Sequence, residues 1–166
     1  MNTTQLLCAL EHDSYLKHHT LGVYAINQIP SLKHNILSFV INSAPSSNPG
    51  IHWVALCKNM NCIEIFDSYG KHPYTYFSPN LIKQFDSVKY QTNQFQQNHT
   101  DYCGFYCLFF VHMKAKGWSM EKICNLFDIK DKLYNDTLVK QFVFSNFSFL
   151  NCANCLSAQS CTKLID

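Results

Sequence analysis

The sequence predicts one α+β domain, with helices packed around a central mixed sheet. Three observations lead to that fold class. Short apolar runs with strand character recur between turn-rich segments in the first ninety residues. Longer runs of helical character fill the remainder. The composition suits a single packed core: 166 residues, 47% hydrophobic and only 14% charged.

The elements follow in order. Thr4–Glu11 reads as a short helix. Leu21–Ala25 is a short strand ended by Pro30, and Ile36–Ile41 is a second apolar run closed by the turn-rich stretch Ser43–Gly50. Ile51–Gly70 reads as a hairpin and its exit. Pro79–Phe85 suggests a short helix and Val88–Thr92 another strand. Cys103–Ala115 is a strongly apolar helix stopped by Gly117, followed by helical segments over Ser119–Leu133 and Thr137–Phe149. Residues 1–150 are expected to form the domain, and 151–166 a tail of it that carries Cys152, Cys155 and Cys161.

Composition also narrows the function. The first twenty residues lack an apolar signal-like core, and the longest apolar run, Tyr102–Met113, is too short to span a bilayer. A soluble, non-secreted protein in a reducing compartment is the expectation. Nine cysteines are then mostly free, buried thiols, and the Asn-x-Ser/Thr sites at Asn2, Asn98, Asn135 and Asn146 carry no glycan. All thirteen basic residues are lysines and the net charge is +2. That leaves no arginine forks for base reading and only weak, non-specific DNA contact.

The hairpin brings two titratable residues together. Folded about Asn59-Met60, with Lys58–Asn61 as the loop, it sets His52 opposite Asp67, Val54 opposite Ile65 and Leu56 opposite Ile63. Trp53–Phe66 and Cys57–Cys62 pair on the other face. Directly opposed side chains lie roughly 4.5–5.5 Å apart at Cβ, within reach of a carboxylate–imidazole hydrogen bond. Glu64 falls on the wrong face to compete. By itself such a pair is more often a surface contact than a site.

A nucleophile follows in FQQNHTDYCGFYCLFF. Cys103 stands where a polar loop becomes a helix, with Thr100 or Asp101 available as the cap. The unpaired N–H groups of a helix start favour thiolate, and an adjacent imidazolium favours it further. Gly104 leaves room for a substrate backbone beside the sulfur. Cys107, one turn on, reads as core, as do Cys57, Cys62 and Cys124. An oxyanion-hole amide would come from the glutamines upstream: Gln97, six residues before Cys103, with Gln96 and Gln94 as rivals. His112 faces away from Cys103, and His99 lacks an evident orienting acid.

The order His, Asp, Gln, Cys, carried by GIHWVAL, IFDSYG and a Q-x5-CG block, resembles the adenovirus protease (adenain) family and the clan it shares with SUMO and ubiquitin-like proteases. YLKHHTLGVYAINQIP and CGFYC add to the likeness, which covers about residues 1–150. The resemblance implies the adenain/SUMO-protease-like cysteine protease fold, with His52 as base, Asp67 as its acid, Gln97 in the oxyanion hole and Cys103 as nucleophile. Trp53 and Gly104 would contact substrate. It further implies a monomeric endopeptidase from a DNA virus or virus-like element, located in the virion and the host nucleus or cytoplasm. Its substrates would be viral precursor proteins cut after glycine in small-residue motifs.

The chain departs from the family in having aspartate where adenovirus enzymes often carry glutamate. It also lacks a match for the cysteine that tethers an activating peptide. No cofactor is required by the sequence, although the family uses peptide and DNA activators. One alternative, a protease of ubiquitin-like proteins, shares the same four residues; a second, an acetyltransferase, shares the His–acid–Cys arrangement but would need acetyl-CoA, for which the sequence has no phosphate-binding cluster. A third, a zinc or interaction module, rests on Cys152, Cys155 and Cys161, which lack a fourth partner.

Overall fold

The computed structural model describes residues 1–30, 32 and 36–151. Five strands, β1 (Thr20–Ala25), β2 (Ile36–Asn42), β3 (Trp53–Asn59), β4 (Cys62–Phe66) and β5 (Ser87–Tyr90), form one sheet in the order β1-β2-β3-β4-β5. The inner pairs β2/β3 and β3/β4 are antiparallel, whereas the outer pairs β1/β2 and β4/β5 are parallel. The sheet is therefore mixed, as the sequence predicts.

Among the described residues six α-helices surround it: α1 (Thr3–His12), α2 (Leu16–His19), α3 (Pro79–Ile82), α4 (Cys103–Ala115), α5 (Met120–Cys124) and α6 (Lys132–Asn146). α4 is buried almost all round, with every residue from Tyr106 to His112 inside. A helix apolar on all sides belongs in the core. Its companions are Ala55, Cys57 and Phe66 on one sheet face, together with α1 and α6. The other face packs Phe39, Ile41, Val54, Leu56, Ile63 and Ile65 under Phe77 and Ile82. No helix among the described residues is long and apolar enough to cross a membrane.

Three expectations need correction. The hairpin pairs Leu56 with Ile65 and Lys58 with Ile63, two residues out of the predicted register, and its turn is Met60-Asn61 alone. Met60 takes φ 52°, a left-handed conformation that no turn residue announces in the sequence. A two-residue slip leaves every side chain on its predicted face, so the core is unchanged. Secondly, the segment Ser119–Leu133 is helical only over Met120–Cys124. Asp128 folds the chain back by accepting from the Lys130 and Asp131 amides, and Asp131 caps α6 by accepting from Tyr134 N at 2.8 Å. Thirdly, neither Thr100 nor Asp101 caps α4; its N-cap is Tyr102, with no side-chain hydrogen bond.

Candidate active site

The site lies where the start of β3, the end of β4 and the N-terminus of α4 converge. β3 begins at Trp53 and β4 ends at Phe66, so His52 and Asp67 have both just left the ladder. In the observed register His52 comes opposite Tyr69, whose ring centroid lies 5.0 Å from the imidazole. Asp67 is thus the diagonal neighbour, not the direct partner. The contact still forms: His52 Nε2 lies 2.7 Å from Asp67 Oδ1. Diagonal pairs on one face remain within reach, which is why the two-residue slip leaves the pair intact.

Asp67 is held from every side. Its Oδ1 also accepts from Tyr69 N at 2.8 Å, while Oδ2 accepts from the Tyr76 hydroxyl at 3.0 Å and Lys71 N at 3.2 Å. The backbone is pinned as well. Gln91 Nε2 donates to the Asp67 carbonyl, and the Phe95 and Gln96 amides donate to the Ser68 carbonyl. Gly70 closes the turn with φ 65°, and a Cβ there would stand 2.5 Å from the Thr92 carbonyl oxygen. The turn requires glycine on both counts.

His52 is 6% exposed, and burial by itself lowers the basicity of its ring. The Asp67 hydrogen bond and the contact with Cys103 outweigh that effect and raise its pKa from 6.5 to about 9. For Cys103, burial pushes the thiol up. The hydrogen bond and charge of His52, aided by the Trp53 and Gly104 backbone amides, pull it below the ordinary thiol range. With Nε2 committed to Asp67, Nδ1 is the nitrogen left to face the sulfur. The arrangement favours thiolate on a half-buried Cys103 and imidazolium on a buried His52, with the Asp67 carboxylate against the ring.

The rival residues are elsewhere. Cys107 is fully buried and its thiol is pushed well up by burial, the opposite of activation. His112 is buried in aromatic packing, 3.2 Å from Asp13. Glu64 pairs with Lys114 Nζ at 2.5 Å on the α4 face. His99 is exposed. Cys152, Cys155 and Cys161 lie outside the described residues.

A cavity of about 400 Å³ opens at Cys103, and Trp53, Asp101, Gly50 and Met1 are among its walls. Trp53 thus stands where a substrate contact is expected, its indole N–H donating to the Met1 carbonyl at 3.0 Å. Gly104 does not line this cavity. The room expected beside it is filled by Met1, whose Cβ would stand 3.0 Å from a Cβ at residue 104.

The three candidate amides differ. Gln94 Nε2 donates to the Gln96 carbonyl and Asn98 Oδ1, and Gln96 is fully buried between Ser68 and Thr100. Gln97 is half-buried and its Nε2 makes one hydrogen bond, 3.2 Å to Asp136 Oδ2. Its second amide proton has no acceptor among the described residues. Sequence reasoning missed Tyr69 and Tyr76, which flank the imidazole, and Asp136. Tyr69 lies within IFDSYG and Tyr76 six residues beyond it, so neither stands out as a separate signal, and Asp136 is far from the other site residues in sequence.

No protein-family model matches this chain. Nor does any curated protein. Among solved structures it is similar to the ASFV pS273R protease, at 19% identity and a TM-score of 0.53 over 81% of this chain. A selenomethionine form of the ASFV pS273R protease aligns over 61% of this chain and 42% of that one, at 27% identity and a TM-score of 0.40. The chain spans 64% of the length of the first of these. The likeness is one of fold: the α+β architecture read from the sequence is shared with the matched part of that protease.

Proposed function

We propose that this protein is a cysteine endopeptidase in which Cys103 is the nucleophile, His52 the general base and acid, Asp67 the orienting carboxylate and Gln97 an oxyanion donor. The observation that carries the reading is the chain Asp67–His52–Cys103, with the first two buried and the cysteine half-exposed, at the mouth of a cavity and the start of a helix. Structural ion pairs perturb titratable groups too. A thiol held low against the effect of its own burial, beside a cavity, has no such use.

On this reading the chemistry begins when the Cys103 thiolate attacks the scissile carbonyl carbon, forming the C–S bond and an oxyanion. Gln97 Nε2–H and the Cys103 backbone N–H, unpaired at the first position of α4, are the donors for that oxygen. As the C–N bond breaks, Nδ1–H of His52 gives its proton to the leaving amine. Water then attacks the thioester, passing one proton to Nδ1; the C–S bond breaks, the acid leaves, and the Cys103 thiolate faces imidazolium again. Asp67 keeps the imidazole in one orientation and stabilises its cation throughout.

For substrates, this reading favours precursor polypeptides of a virus or virus-like element, cut after glycine, on the strength of the sequence resemblance. A protease of ubiquitin-like proteins is the second reading, since it needs the same residues. A glycine-ended peptide carrying a thiol-reactive warhead, mapped by mass spectrometry, tests the site. Label confined to Cys103 and lost in His52→Ala is expected. Equal label on several cysteines would sink the assignment. Release of a ubiquitin-like C-terminal tail, with viral precursors uncut, would move the second reading ahead.

A further inference from the structure

Asp136 has no part in the chemistry described so far, yet it is a carboxylate only 2% exposed on the inner face of α6. Three hydroxyl and amide donors converge on it. Oδ1 accepts from the Tyr106 hydroxyl at 2.8 Å, and Oδ2 accepts from Thr100 Oγ1 at 2.9 Å and Gln97 Nε2 at 3.2 Å. No lysine or histidine makes an ion pair with it among the described residues. A buried carboxylate without a cation is costly, and hydrogen bonds from neutral donors are what sustain it here.

The donors belong to the two segments that must be registered at the site. Tyr106 sits one turn beyond Cys103 on α4. Gln97 and Thr100 belong to the loop that precedes it, which carries no helix or strand over residues 91–102. The same helix grips that loop a second time, through Asn135 Nδ2 and the Phe95 carbonyl at 3.1 Å. α6 thus fixes both the position of the loop and the end of the Gln97 side chain.

The identity of the acceptor matters more than its position. An amide is nearly symmetric in shape, and its two ends differ only in donating or accepting. An ionised carboxylate can only accept, so it admits the NH2 end of Gln97 and repels the oxygen. One N–H is thereby used, and its geminal partner is held in the same plane, pointing elsewhere. We infer that Asp136 is a positioning residue: by accepting from Gln97 it fixes which end of that amide faces the reaction and so completes the oxyanion hole from α6. The inference rests on the proposed role of Gln97.

Asp136→Asn tests it with almost no change of shape. Asparagine can meet either end of Gln97, so both amide orientations become populated. The expected result is a kcat lower by about ten-fold with KM unchanged, against about a hundred- to a thousand-fold for outright loss of such a donor. In Gln97→Ala the further change Asp136→Asn should cost nothing more in kcat. Alkylation of Cys103 by iodoacetamide needs no oxyanion hole and should keep its rate in all these variants. Thr100→Val removes a donor from the same carboxylate oxygen but leaves Gln97 its acceptor, and should keep kcat.

The Gln97 side-chain amide resonances supply a readout independent of turnover. The two protons should be distinct in the native protein and drawn together in Asp136→Asn. Normal kcat with Asp136→Asn, losses that multiply with those of Gln97→Ala, or equal losses of kcat and alkylation would each overturn the inference. Absence of peptide cleavage by the native protein would instead strike the proposed function, while the resonances still report whether Asp136 orients the amide.

Discussion

Asp67→Asn removes one negative charge from the site while keeping the side chain's shape. In the native site Oδ1 receives His52 Nε2 and the Tyr69 amide, while Oδ2 receives the Tyr76 hydroxyl and the Lys71 amide. Asparagine has one oxygen for these two positions. If the oxygen stays toward His52, the new NH2 group faces the Lys71 N–H, donor against donor. If it turns the other way, the NH2 group faces Nε2 and forces the ring to carry its proton on Nδ1, where it can no longer accept one from the thiol. Either outcome costs the site something specific.

The electrostatic magnitude can be bounded. The rise of His52 from 6.5 to about 9 corresponds to about 3 kcal/mol favouring imidazolium, shared between Asp67 and Cys103. Without the Asp67 charge, burial dominates and returns the ring toward neutrality. Burial likewise dominates at Cys103 once the imidazolium is gone, and the thiol rises. An unassisted thiol of pKa about 8.5 is only about 3% ionised at pH 7, so alkylation of Cys103 should slow by up to about thirty-fold. Turnover should fall further, by about a hundred- to ten-thousand-fold, because the proton transfers fail as well.

The pH profile carries the sign. In the native protein kcat/KM should rise as Cys103 ionises below the ordinary thiol range and fall as His52 loses its proton near pH 9. In Asp67→Asn the acid limb moves up and the alkaline limb moves down, so the active window narrows from both sides. The assay is iodoacetamide alkylation and peptide hydrolysis followed from pH 5 to about pH 10. A variant that alkylates within two-fold of the native rate, on an unshifted profile, would refute the reasoning.

Further expectations concern the residues that could be mistaken for the site and those that support it. Cys107→Ala should keep full turnover and lower stability by about 1 kcal/mol, since this thiol is buried and un-ionised; thermal unfolding and kcat separate the two effects. Cys103→Ala should abolish cleavage with an unchanged melting temperature, and a loss of fold would mean that the cysteine has a packing role instead. Gly70→Ala should cost at least about 1–2 kcal/mol for the left-handed backbone, plus the clash with Thr92, and should lower turnover because the turn carries Asp67. A melting temperature within a degree of native would contradict that account of the turn.

Much of the fold and the centre of the site were legible in the sequence, for reasons that are local. The apolar residues of β3 and β4 alternate with period two, so their faces follow from parity and survive a register error of two. Cys103 opens an apolar run directly after a polar loop, which marks a helix start without reference to any other element. The face assignments of His52, Asp67 and Glu64 needed no more than this. The turn was not legible, because a methionine in the left-handed region leaves no compositional mark.

What only the tertiary structure decided are contacts between segments far apart in the chain. Met1 packs over Gly104 and against Trp53, so the room expected beside the glycine is occupied. Tyr76 reaches Asp67 after a turn of helix that follows the strand. Asp136, thirty-nine residues beyond Gln97, decides which end of that amide is free. The sequence by itself determined the strands, the core faces and the place of Cys103 at a helix N-terminus, because each depends on periodicity and neighbours along the chain. The support around Cys103 was decided only when α4 and α6 packed on the sheet, because hydrogen bonds across such distances leave no trace in local pattern.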